Sequence, residues 1–471
     1  MSDALWHLQE LLEAVNGRLE GQISQPINGI SIDSRAIAPG DLFVAIQGDA
    51  RDGHEFVVAA LQNGAAAAMV SKPDAEMRAA GGLIVVDEPL AGLIRLGEAA
   101  RARSHARIVA ITGSVGKTST KEALLLALGA SGKTHVSAAS YNNHWGVPLS
   151  LARLPRDAQF AVFEIGMNHA GEIEPLVQMV KPELAIITTI APSHLGNFDN
   201  LQGIAEAKAE IFSGVIQDGA VLLNGDNEFF SFLKERAKQK NISRIYEFGR
   251  SEAANVSLRQ LKLHGECSCM TLRVFGLDLN VKIGVPGEHI AFNSLAVLGA
   301  VELLGADLAL AGLAMAKLSP PNGRGVRHKC RIADGQFTLI DESYNANPTS
   351  MAAALQVLAV SPSKQGRRIA VLGDMLELGD QAAALHGDLV HEIERAGVDV
   401  VYACGPLMRN LWDGLSSSRR GIYAPESRGL LDGLMQDLAS GDVVMIKGSH
   451  GSKMGLIVNG LLAQFPPVDE A

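Results

Sequence analysis

The stretch from Arg107 to Glu122 constrains the fold of this 471-residue chain more than any other part of it. It reads R-I-V-A-I-T-G-S-V-G-K-T-S-T-K-E. The apolar, β-branched run from Ile108 to Thr112 predicts a buried parallel strand, and the run from Ser119 to Leu128 predicts a helix. A strand, a glycine turn and a helix start form a phosphate cradle, because backbone N–H groups and the helix dipole then face one anion.

The residues of this turn predict nucleotide binding. Lys117 can neutralise the outer phosphates, and Thr118 offers a hydroxyl to a phosphate-bound Mg²⁺. The general pattern has a glycine six residues before the lysine, where this chain has Ile111. The alternative is a strand-to-helix turn that contains a lysine by chance, and the Gly-x-x-Gly-Lys-Thr run disfavours it. The predicted ATP contacts in the turn are Gly113, Ser114, Val115, Gly116, Lys117, Thr118 and Ser119.

Composition limits the class of protein. The length suggests two to four domains, and 47% apolar with 20% charged residues is ordinary for a globular protein. A net charge of −10 argues against nucleic acid as the main partner. No leader or membrane-spanning run is visible, and the four cysteines show no zinc-type spacing. We therefore expect a cytoplasmic protein with unpaired thiols and no integral membrane segment.

The predicted elements indicate an α/β chain of three domains. A small α/β domain covers residues 1–105, a central doubly wound sheet with the phosphate loop covers 106–318, and a Rossmann-like domain without a dinucleotide fingerprint covers 319–471. The polar run R-A-R-S-H-A-R marks the first boundary, and L-S-P-P-N-G-R-G-V marks the second. We also predict a helix over residues 3–15 and an antiparallel flap or small sheet over 255–285.

Three polar residues after the phosphate loop are candidates for chemistry. Glu164 ends an apolar strand, where an unpaired carboxylate would be costly, so a metal or a partner cation would explain it. His194 follows the next apolar strand, and its place at the same sheet edge favours a ligand over a packed histidine. Lys208 lies between Glu206 and Glu210 on a predicted helix, and this pattern by itself indicates a solvated face.

Further polar groups cluster in the first and third domains. Asp33-Ser34-Arg35 and Asp52-Gly53-His54 follow predicted strands, where ligand binding and turn chemistry are equal alternatives. Arg324 and Arg327 could clamp a phosphate or carboxylate. The segment from Asp341 to Asn347 combines turn residues with a tyrosine, and turn chemistry explains only part of it.

Taken together, the motifs of this chain resemble those of Mur ligases, the ATP-dependent amino-acid ligases of bacterial peptidoglycan precursor synthesis. The resemblance covers almost the whole chain. Two motifs, Y-N-A-N-P and G-D-M-L-E-L-G, resemble those of the family member that adds D-alanyl-D-alanine to UDP-N-acetylmuramoyl-tripeptide. The full set is D-S-R-x-x-x-P-G-D-L-F-V-A, D-G-H-x-F, T-G-S-x-G-K-T-S-T-K-E, N-N-x-x-G-V-P-L-S-L, E-I-G-M-N-H-x-G-E-I, S-H-L-x-x-F, A-x-A-K-x-E-I-F, G-x-H, S-Y-N-A-N-P, V-L-G-D-M-L-E-L-G and K-G-S.

The resemblance implies roles for the candidate residues. It implies ATP, two Mg²⁺ ions and a carbamylated Lys208, which would overturn the solvated-face interpretation. The implied catalytic residues are Lys117, Glu164, His194 and Lys208, and the implied metal ligands are Thr118, Glu164, His194 and the Lys208 carbamate. Further ATP contacts are His289, Asn293, Arg324, Asp341 and Asn345. The implied substrate contacts are Ser34, Arg35, Asp52, Gly53, His54, Asn142, Asn143, Lys447 and Ser449. The chain departs from the frequent family residues at Ile290, Glu342, His450 and Gly455.

The implied reaction activates the tripeptide carboxylate as an acyl phosphate, which the amine of D-alanyl-D-alanine attacks. The products are UDP-N-acetylmuramoyl-pentapeptide, ADP and phosphate, and we expect the enzyme to be a monomer. No Ser–His or Cys–His constellation is visible, and phosphoryl transfer requires positioning and charge stabilisation rather than a protein nucleophile. Two alternatives are another Mur-type amino-acid ligase, disfavoured by the lack of a D-N-P-R-type motif, and a P-loop protein that uses ATP only as a switch.

Overall fold

Three β-sheets organise the chain. The computed structural model describes residues 4–48, 51–137, 141–363 and 366–468. The sheets have five, nine and six strands, and they lie within residues 18–85, 107–283 and 326–447. This arrangement confirms the predicted three-domain α/β architecture, and we retain the boundaries near residues 105 and 318 as a proposal. In the described part of the chain, no helix has the length and hydropathy needed to cross a membrane.

The first domain is a five-stranded sheet with the order β1-β5-β4-β3-β2, in which only β1 is antiparallel to its neighbour. Helix α4 begins at a proline, whose fixed φ suits a first helical turn, and the Glu88 carboxylate accepts hydrogen bonds from two N–H groups of that turn. The strands are β1 (Arg18–Glu20), β2 (Gly29–Ser31), β3 (Asp41–Val44), β4 (Ala67–Val70) and β5 (Leu83–Val85), and the helices are α1 (Leu8–Val15), α2 (Val57–Gln62), α3 (Ala75–Ala80) and α4 (Pro89–Arg103).

The central domain is a nine-stranded sheet with the order β14-β13-β12-β11-β10-β9-β6-β8-β7. Its first seven strands in the sequence are parallel, and the last two continue the sheet as antiparallel strands. The strands are β6 (Arg107–Thr112), β7 (Thr134–Val136), β8 (Phe160–Glu164), β9 (Leu184–Ile187), β10 (Ala220–Asn224), β11 (Arg244–Gly249), β12 (Val256–Leu263), β13 (Ser268–Val274) and β14 (Leu277–Ile283).

Two apolar cores cover the faces of the central sheet. One core packs β6, β9 and β10 against the helices that follow the phosphate loop and β14, and the other packs the opposite face against the helices that follow β8 and β9. Burial on both faces explains why β6 and β9 read as continuous apolar runs in the sequence. The helices are α5 (Lys117–Gly129), α6 (Gly146–Ala152), α7 (Ile173–Val180), α8 (Leu201–Ala209), α9 (Phe230–Gln239), α10 (Glu288–Leu303) and α11 (Leu308–Ala314).

The third domain is a six-stranded sheet with the order β15-β16-β20-β17-β18-β19, in which only β15 is antiparallel. The strands are β15 (Val326–Ile332), β16 (Gly335–Glu342), β17 (Arg368–Gly373), β18 (Val400–Cys404), β19 (Arg420–Ala424) and β20 (Val443–Lys447). The helices are α12 (Pro348–Val360), α13 (Ala382–Gly387), α14 (Leu389–Arg395), α15 (Met408–Gly414), α16 (Arg428–Asp437) and α17 (Gly455–Gln464).

The first and central domains share one apolar core. Trp6 is buried, and its indole Nε1–H donates a 2.9 Å hydrogen bond to the Ala152 carbonyl oxygen at the end of α6. The Arg103 guanidinium carbon lies 3.6 Å from the centre of the Trp6 ring. Leu149 of α6 belongs to the same core as Trp6 and the strands of the first sheet. The two domains are therefore joined by a packed interior rather than by a linker alone.

Some predicted elements were wrong. Residues 255–285 contain the predicted antiparallel strands, β12 to β14, but these strands form no sheet of their own, because β12 pairs in parallel with β11 and so extends the central sheet. The first helix begins at Leu8, after a bridge between Trp6 and Ile27, and residue 3 lies outside the described residues. The sequence reading also missed β1, α3 and β15, which are short or contain many charged residues and so lack a clear periodic signal. The four cysteines are unpaired, as predicted.

Replacing Trp6 with alanine tests the shared core. We expect Trp6→Ala to lower the free energy of unfolding by about 3–5 kcal/mol, because it leaves a cavity and removes the bond to Ala152. Denaturant unfolding followed by circular dichroism measures this change. Leu313→Ala is the control, since Leu313 is 72% exposed and its loss should change stability by about 0.5 kcal/mol or less. An unchanged midpoint for Trp6→Ala would contradict a shared core.

Candidate nucleotide and metal site

The carboxyl ends of β9, β6 and β8 meet at one edge of the central sheet, because these three strands are parallel neighbours. The phosphate loop follows β6, Glu164 ends β8, and the segment that contains His194 follows β9. The loops after β16, β17 and β20 of the third domain face this edge. Together they enclose a cavity of about 740 Å³. Open α/β sheets bind ligands at this kind of edge.

The phosphate loop has the backbone geometry that its glycines allow. Gly116 has φ 86° and precedes α5, which begins at Lys117. A Cβ at Gly116 would lie 2.4 Å from Asn293 Nδ2, so this close approach requires glycine. The Lys117 ammonium donates a 2.6 Å hydrogen bond to the Gly113 carbonyl oxygen. Burial lowers the pKa of Lys117, and the nearby Glu164 carboxylate opposes that shift.

Side-chain hydrogen bonds tie the phosphate loop to the segment after β9. Ser114 Oγ donates to the Ala191 carbonyl oxygen at 2.7 Å and accepts from the Ala191 N–H at 2.9 Å. Thr188 Oγ1 donates to the Val115 carbonyl oxygen at 2.6 Å. These bonds hold the phosphate loop against the segment after β9, which belongs to the same sheet, and so fix the loop relative to the residues that lead to His194.

Glu164 has the surroundings of a metal ligand. It is buried, and its Oε1 accepts a 2.8 Å hydrogen bond from Asn142 Nδ2. Its Oε2 is buried without a hydrogen-bond partner. An orphaned carboxylate oxygen beside a phosphate cradle is costly unless a cation binds it, so this residue fits Mg²⁺, which prefers oxygen ligands.

His194 lies at the start of a turn and adopts a left-handed backbone conformation, with φ 56°. Its Nδ1 lies 2.5 Å from Glu377 Oε2 of the third domain, a close contact that is an ion pair only when the ring is protonated. Burial lowers the pKa of His194, Glu377 opposes this shift, and Lys117 and Lys208 add to it. A neutral imidazole is the form that binds metals.

Lys208 is buried with 1% relative exposure, so its interpretation as part of a solvated face was wrong. Among the described residues its ammonium has no hydrogen-bond or ion-pair partner. Burial, with a smaller contribution from Lys117, holds its pKa well below the ordinary lysine value. The neighbouring Glu210 is explained differently, because its carboxylate accepts N–H groups at the start of α7, including that of Ile173.

The protein supplies few metal donors of its own. In the described ranges, no three His, Cys, Asp or Glu side chains form a group that could hold a metal ion. Thr118, Glu164 and His194 all line the cavity, and they offer a hydroxyl, a carboxylate oxygen and an imidazole. This donor set fits Mg²⁺ bound chiefly through a few protein ligands and substrate phosphates.

Residues of the third domain place cationic side chains at the same cavity and hold the loops that line it. The Arg324 guanidinium lies 4.1 Å from the centre of the Tyr344 ring. The buried Lys447 ammonium donates to Glu342 Oε2 at 3.3 Å and to the Asn345 carbonyl oxygen at 2.9 Å. Ser449 Oγ donates to a carbonyl oxygen of the Asn345 loop and accepts an N–H of the loop after β17. Lys447 and Ser449 thus join the loops that line the cavity.

The structure brings together most of the predicted site residues. Those that line the cavity are Ser114, Val115, Gly116, Lys117, Thr118, Ser119, Asn142, Asn143, Glu164, His194, His289, Asn293, Arg324, Asn345, Lys447 and Ser449. Three of the residues that differ from the frequent family residues, Ile290, Glu342 and His450, also line the cavity, whereas the fourth, Gly455, begins α17. Gly113, Lys208 and Asp341 do not line it, and the Asp341 carboxylate caps a turn at Ser343. The side-chain oxygen of Asn143 accepts a 2.9 Å hydrogen bond from the N–H of Gly146, the first residue of α6.

The predicted residues of the first domain lie apart from this cavity. They are Ser34, Arg35, Asp52, Gly53 and His54, and none of them lines it. Both ring nitrogens of His54 have partners inside the domain, since Nδ1 contacts Asp52 Oδ1 at 2.6 Å and Nε2 accepts the Ser71 N–H at 3.0 Å. Arg35 is exposed, and its pairing lowers the pKa of Asp33 to about 2.

Sequence reasoning missed several residues of the cavity, among them Glu377, Arg250 and Thr188. Glu377 lies in the G-D-M-L-E-L-G run that follows β17, so its position after a parallel strand was an available signal. Arg250 follows β11 and pairs with Asp226 and Glu288, which the sequence pattern does not indicate.

Comparisons with known proteins agree along almost the whole chain. Three family models match: "Mur ligase family, catalytic domain" over residues 26–104, "Mur ligase middle domain" over 111–301, and "Mur ligase, glutamate ligase domain" over 327–450. Relatives named "UDP-N-acetylmuramoyl-tripeptide--D-alanyl-D-alanine ligase" occur in Rickettsia prowazekii, 33% identical over 97% of this chain and 99% of the relative, and in Escherichia coli, 35% identical over 96% and 98%. The solved structure described as "Crystal structure I of MurF from Acinetobacter baumannii" is 29% identical, has a TM-score of 0.83, and aligns over 97% of this chain and 99% of that one.

Replacing Gly116 with alanine tests the phosphate cradle. The left-handed backbone and the approach of Asn293 should strain an alanine by about 1–3 kcal/mol, which weakens ADP binding by about 5- to 150-fold. Calorimetric titration with ADP measures the affinity. Gly129→Ala is the matched control, because nothing lies within 4 Å of a Cβ at this end of the same helix. Equal ADP affinities for both variants would contradict the assignment of the cradle.

Proposed function

The chain belongs to the Mur ligase family, and from this premise we propose that it joins D-alanyl-D-alanine to UDP-N-acetylmuramoyl-tripeptide at the expense of ATP. One observation supports this function best. A phosphate loop, an orphaned carboxylate and two third-domain cations, Arg324 and Lys447, face a single cavity between two domains. Such a site can hold the phosphates of one substrate beside the carboxylate of another.

The proposed reaction proceeds in two steps. The tripeptide carboxylate attacks the γ-phosphorus of ATP, a bond to the β-phosphate oxygen breaks, and an acyl phosphate and ADP result. The amine of D-alanyl-D-alanine then attacks the acyl carbon and loses a proton, and phosphate leaves. Both partners of the first step are anions, so the site must mainly offset charge and align the reacting atoms.

The residues of this chain divide that work. Lys117 and the N–H groups at the start of α5 would hold the phosphates, and Arg324 would add a cation from the third domain. Thr118, Glu164 and His194 would hold Mg²⁺. When bound, Mg²⁺ neutralises charge on the transferred phosphoryl group. Asn142 keeps the Glu164 carboxylate oriented through its 2.8 Å hydrogen bond.

Lys208 is proposed to act as a carbamate. A neutral amine can add to CO₂ with loss of one proton and so become a carboxylate-like group. The lowered pKa of Lys208 favours the neutral amine, and its lack of a carboxylate partner leaves the nitrogen free to react. The modification would add an oxygen donor to a donor set that is otherwise small.

The remaining substrate contacts are also proposals. Ser34, Arg35, Asp52, Gly53 and His54 would contact the UDP end. The ring of His54 also holds its own loop through its contacts with Asp52 and Ser71. Asn142 and Asn143 would face the muropeptide, with Lys447 and Ser449 acting mainly through the loops that they hold. We further propose that the enzyme acts as a cytoplasmic monomer.

A coupled phosphate-release assay tests the proposed function. We expect turnover only when ATP, UDP-N-acetylmuramoyl-tripeptide and D-alanyl-D-alanine are all present, because the phosphoryl acceptor and the amine are both substrates. Another Mur-type ligase would instead require a shorter muropeptide and a single amino acid. A P-loop switch would hydrolyse ATP at the same rate with and without both substrates, and this result would refute the ligase.

Replacing Lys208 tests the carbamate. Lys208→Ala should lose ligase activity, and a short carboxylate such as acetate should restore part of it by occupying the vacated space. The same assay measures both effects. Lys238→Ala, which removes an exposed lysine on the next helix, should retain full activity and show no response to acetate. Absence of rescue, with ADP binding and folding intact, would count against the carbamate.

A further inference from the structure

Glu377 is a third-domain residue that touches the central domain at the candidate metal site. Its Oε2 lies 2.5 Å from His194 Nδ1. Its backbone carbonyl oxygen accepts a 2.9 Å hydrogen bond from the Gly196 N–H. One residue therefore contacts both the candidate metal ligand and the turn that carries it.

The two backbones meet through a pair of glycines. A Cβ at Gly196 would lie 3.3 Å from Gly379 N, and a Cβ at Gly379 would lie 3.1 Å from Gly196 Cα. Gly379 also has φ 58°, a left-handed conformation that side chains disfavour. This approach brings the loop of Glu377 against the turn of His194 with no side chain between them.

The loop that carries Glu377 is fixed within its own domain. The Met375 N–H donates to His386 Nε2 at 2.9 Å, and the Leu376 N–H donates to Ser449 Oγ at 2.9 Å. Glu377 itself has φ 64°, which a non-glycine residue adopts only when its surroundings impose it. The position of the Glu377 carboxylate is therefore set by the third domain as a whole.

The two ring nitrogens of His194 have different surroundings. Nδ1 faces Glu377, whereas Nε2 has no hydrogen-bond partner in the part of the chain that the structure describes. A carboxylate on one nitrogen of a histidine fixes the ring orientation and the tautomer, which leaves the other nitrogen as the metal donor. Metal-binding histidines in general rely on such partners.

We propose that Glu377 is a positioning residue that orients His194 for metal binding, so that the metal site is complete only when the third domain is docked. This inference rests on the proposed function, because it takes His194 as a metal ligand. It deepens that function by making metal affinity depend on a residue of another domain.

The test measures metal binding by the full-length protein rather than turnover. Mn²⁺ is titrated in the presence of ADP, and electron paramagnetic resonance reports the free ion. Glu377→Ala should weaken Mn²⁺ binding about 10-fold, at the low end of the range for such partners because the Glu377 side chain is 57% exposed. Asp380→Ala, which removes an exposed carboxylate from the same loop region, should bind Mn²⁺ like the parent.

A double variant shows whether Glu377 acts through His194. In a His194→Ala background, Glu377→Ala should cause no further loss of Mn²⁺ affinity, because the positioned ring is already absent. A second, independent loss would mean that Glu377 serves only to hold the domains together, and it would overturn the proposal. ADP binding in EDTA and the thermal melting curve of each variant establish that the loop and the fold are intact.

The outcomes separate this inference from the proposed function. If His194→Ala weakens Mn²⁺ binding and Glu377→Ala does not, the positioning role is refuted and the ligase is unaffected. If His194→Ala leaves Mn²⁺ binding unchanged, the inference and the metal role of His194 fail together. Absence of substrate-dependent turnover by the parent protein refutes the ligase itself, whatever the Mn²⁺ titrations show.

Discussion

The site depends on the parallel pairing of β6 between β8 and β9. This pairing sets three strand ends side by side, and each strand end delivers a different chemical group. The hydrogen bonds of Ser114 and Thr188 then lock two of the three following segments together. Because both faces of the sheet are covered by apolar cores, the groups at its edge are held by a rigid support.

Burial of charged groups is the second constraint. Glu164 and Lys208 are both withdrawn from water, and the structure gives neither of them a salt-bridge partner among the described residues. Such an arrangement costs stability unless a ligand or a chemical modification compensates it. Burial of these two side chains therefore lowers stability at the site, where the proposed chemistry needs a Glu164 oxygen without a protein partner and an uncharged Lys208 amine.

The sequence was sufficient for much of the fold and part of the site. Long apolar strands, such as Ile108 to Thr112, were predictable because a run of apolar residues is a local signal in the sequence. The phosphate loop was predictable for the same reason, since its glycines mark a turn. The continuation of the central sheet into β12–β14 was not, since the strand pattern of these residues does not indicate which sheet they join, even though β12 pairs with the preceding strand β11. Lys208 illustrates the same limit, because charged neighbours suggested solvent while tertiary packing buried it. Glu377 required the docked position of another domain, which no local pattern encodes.

The shared interior of the first two domains has a consequence for evolution and for protein engineering. Trp6, Leu149 and Ala152 belong to one core, although they come from segments far apart in the sequence. A chimera that exchanged only residues 1–105 between two related ligases would cut through this core and create mismatched packing. The unit of exchange for the first domain must therefore include α6, so the packing unit to which this domain belongs is discontinuous in the sequence.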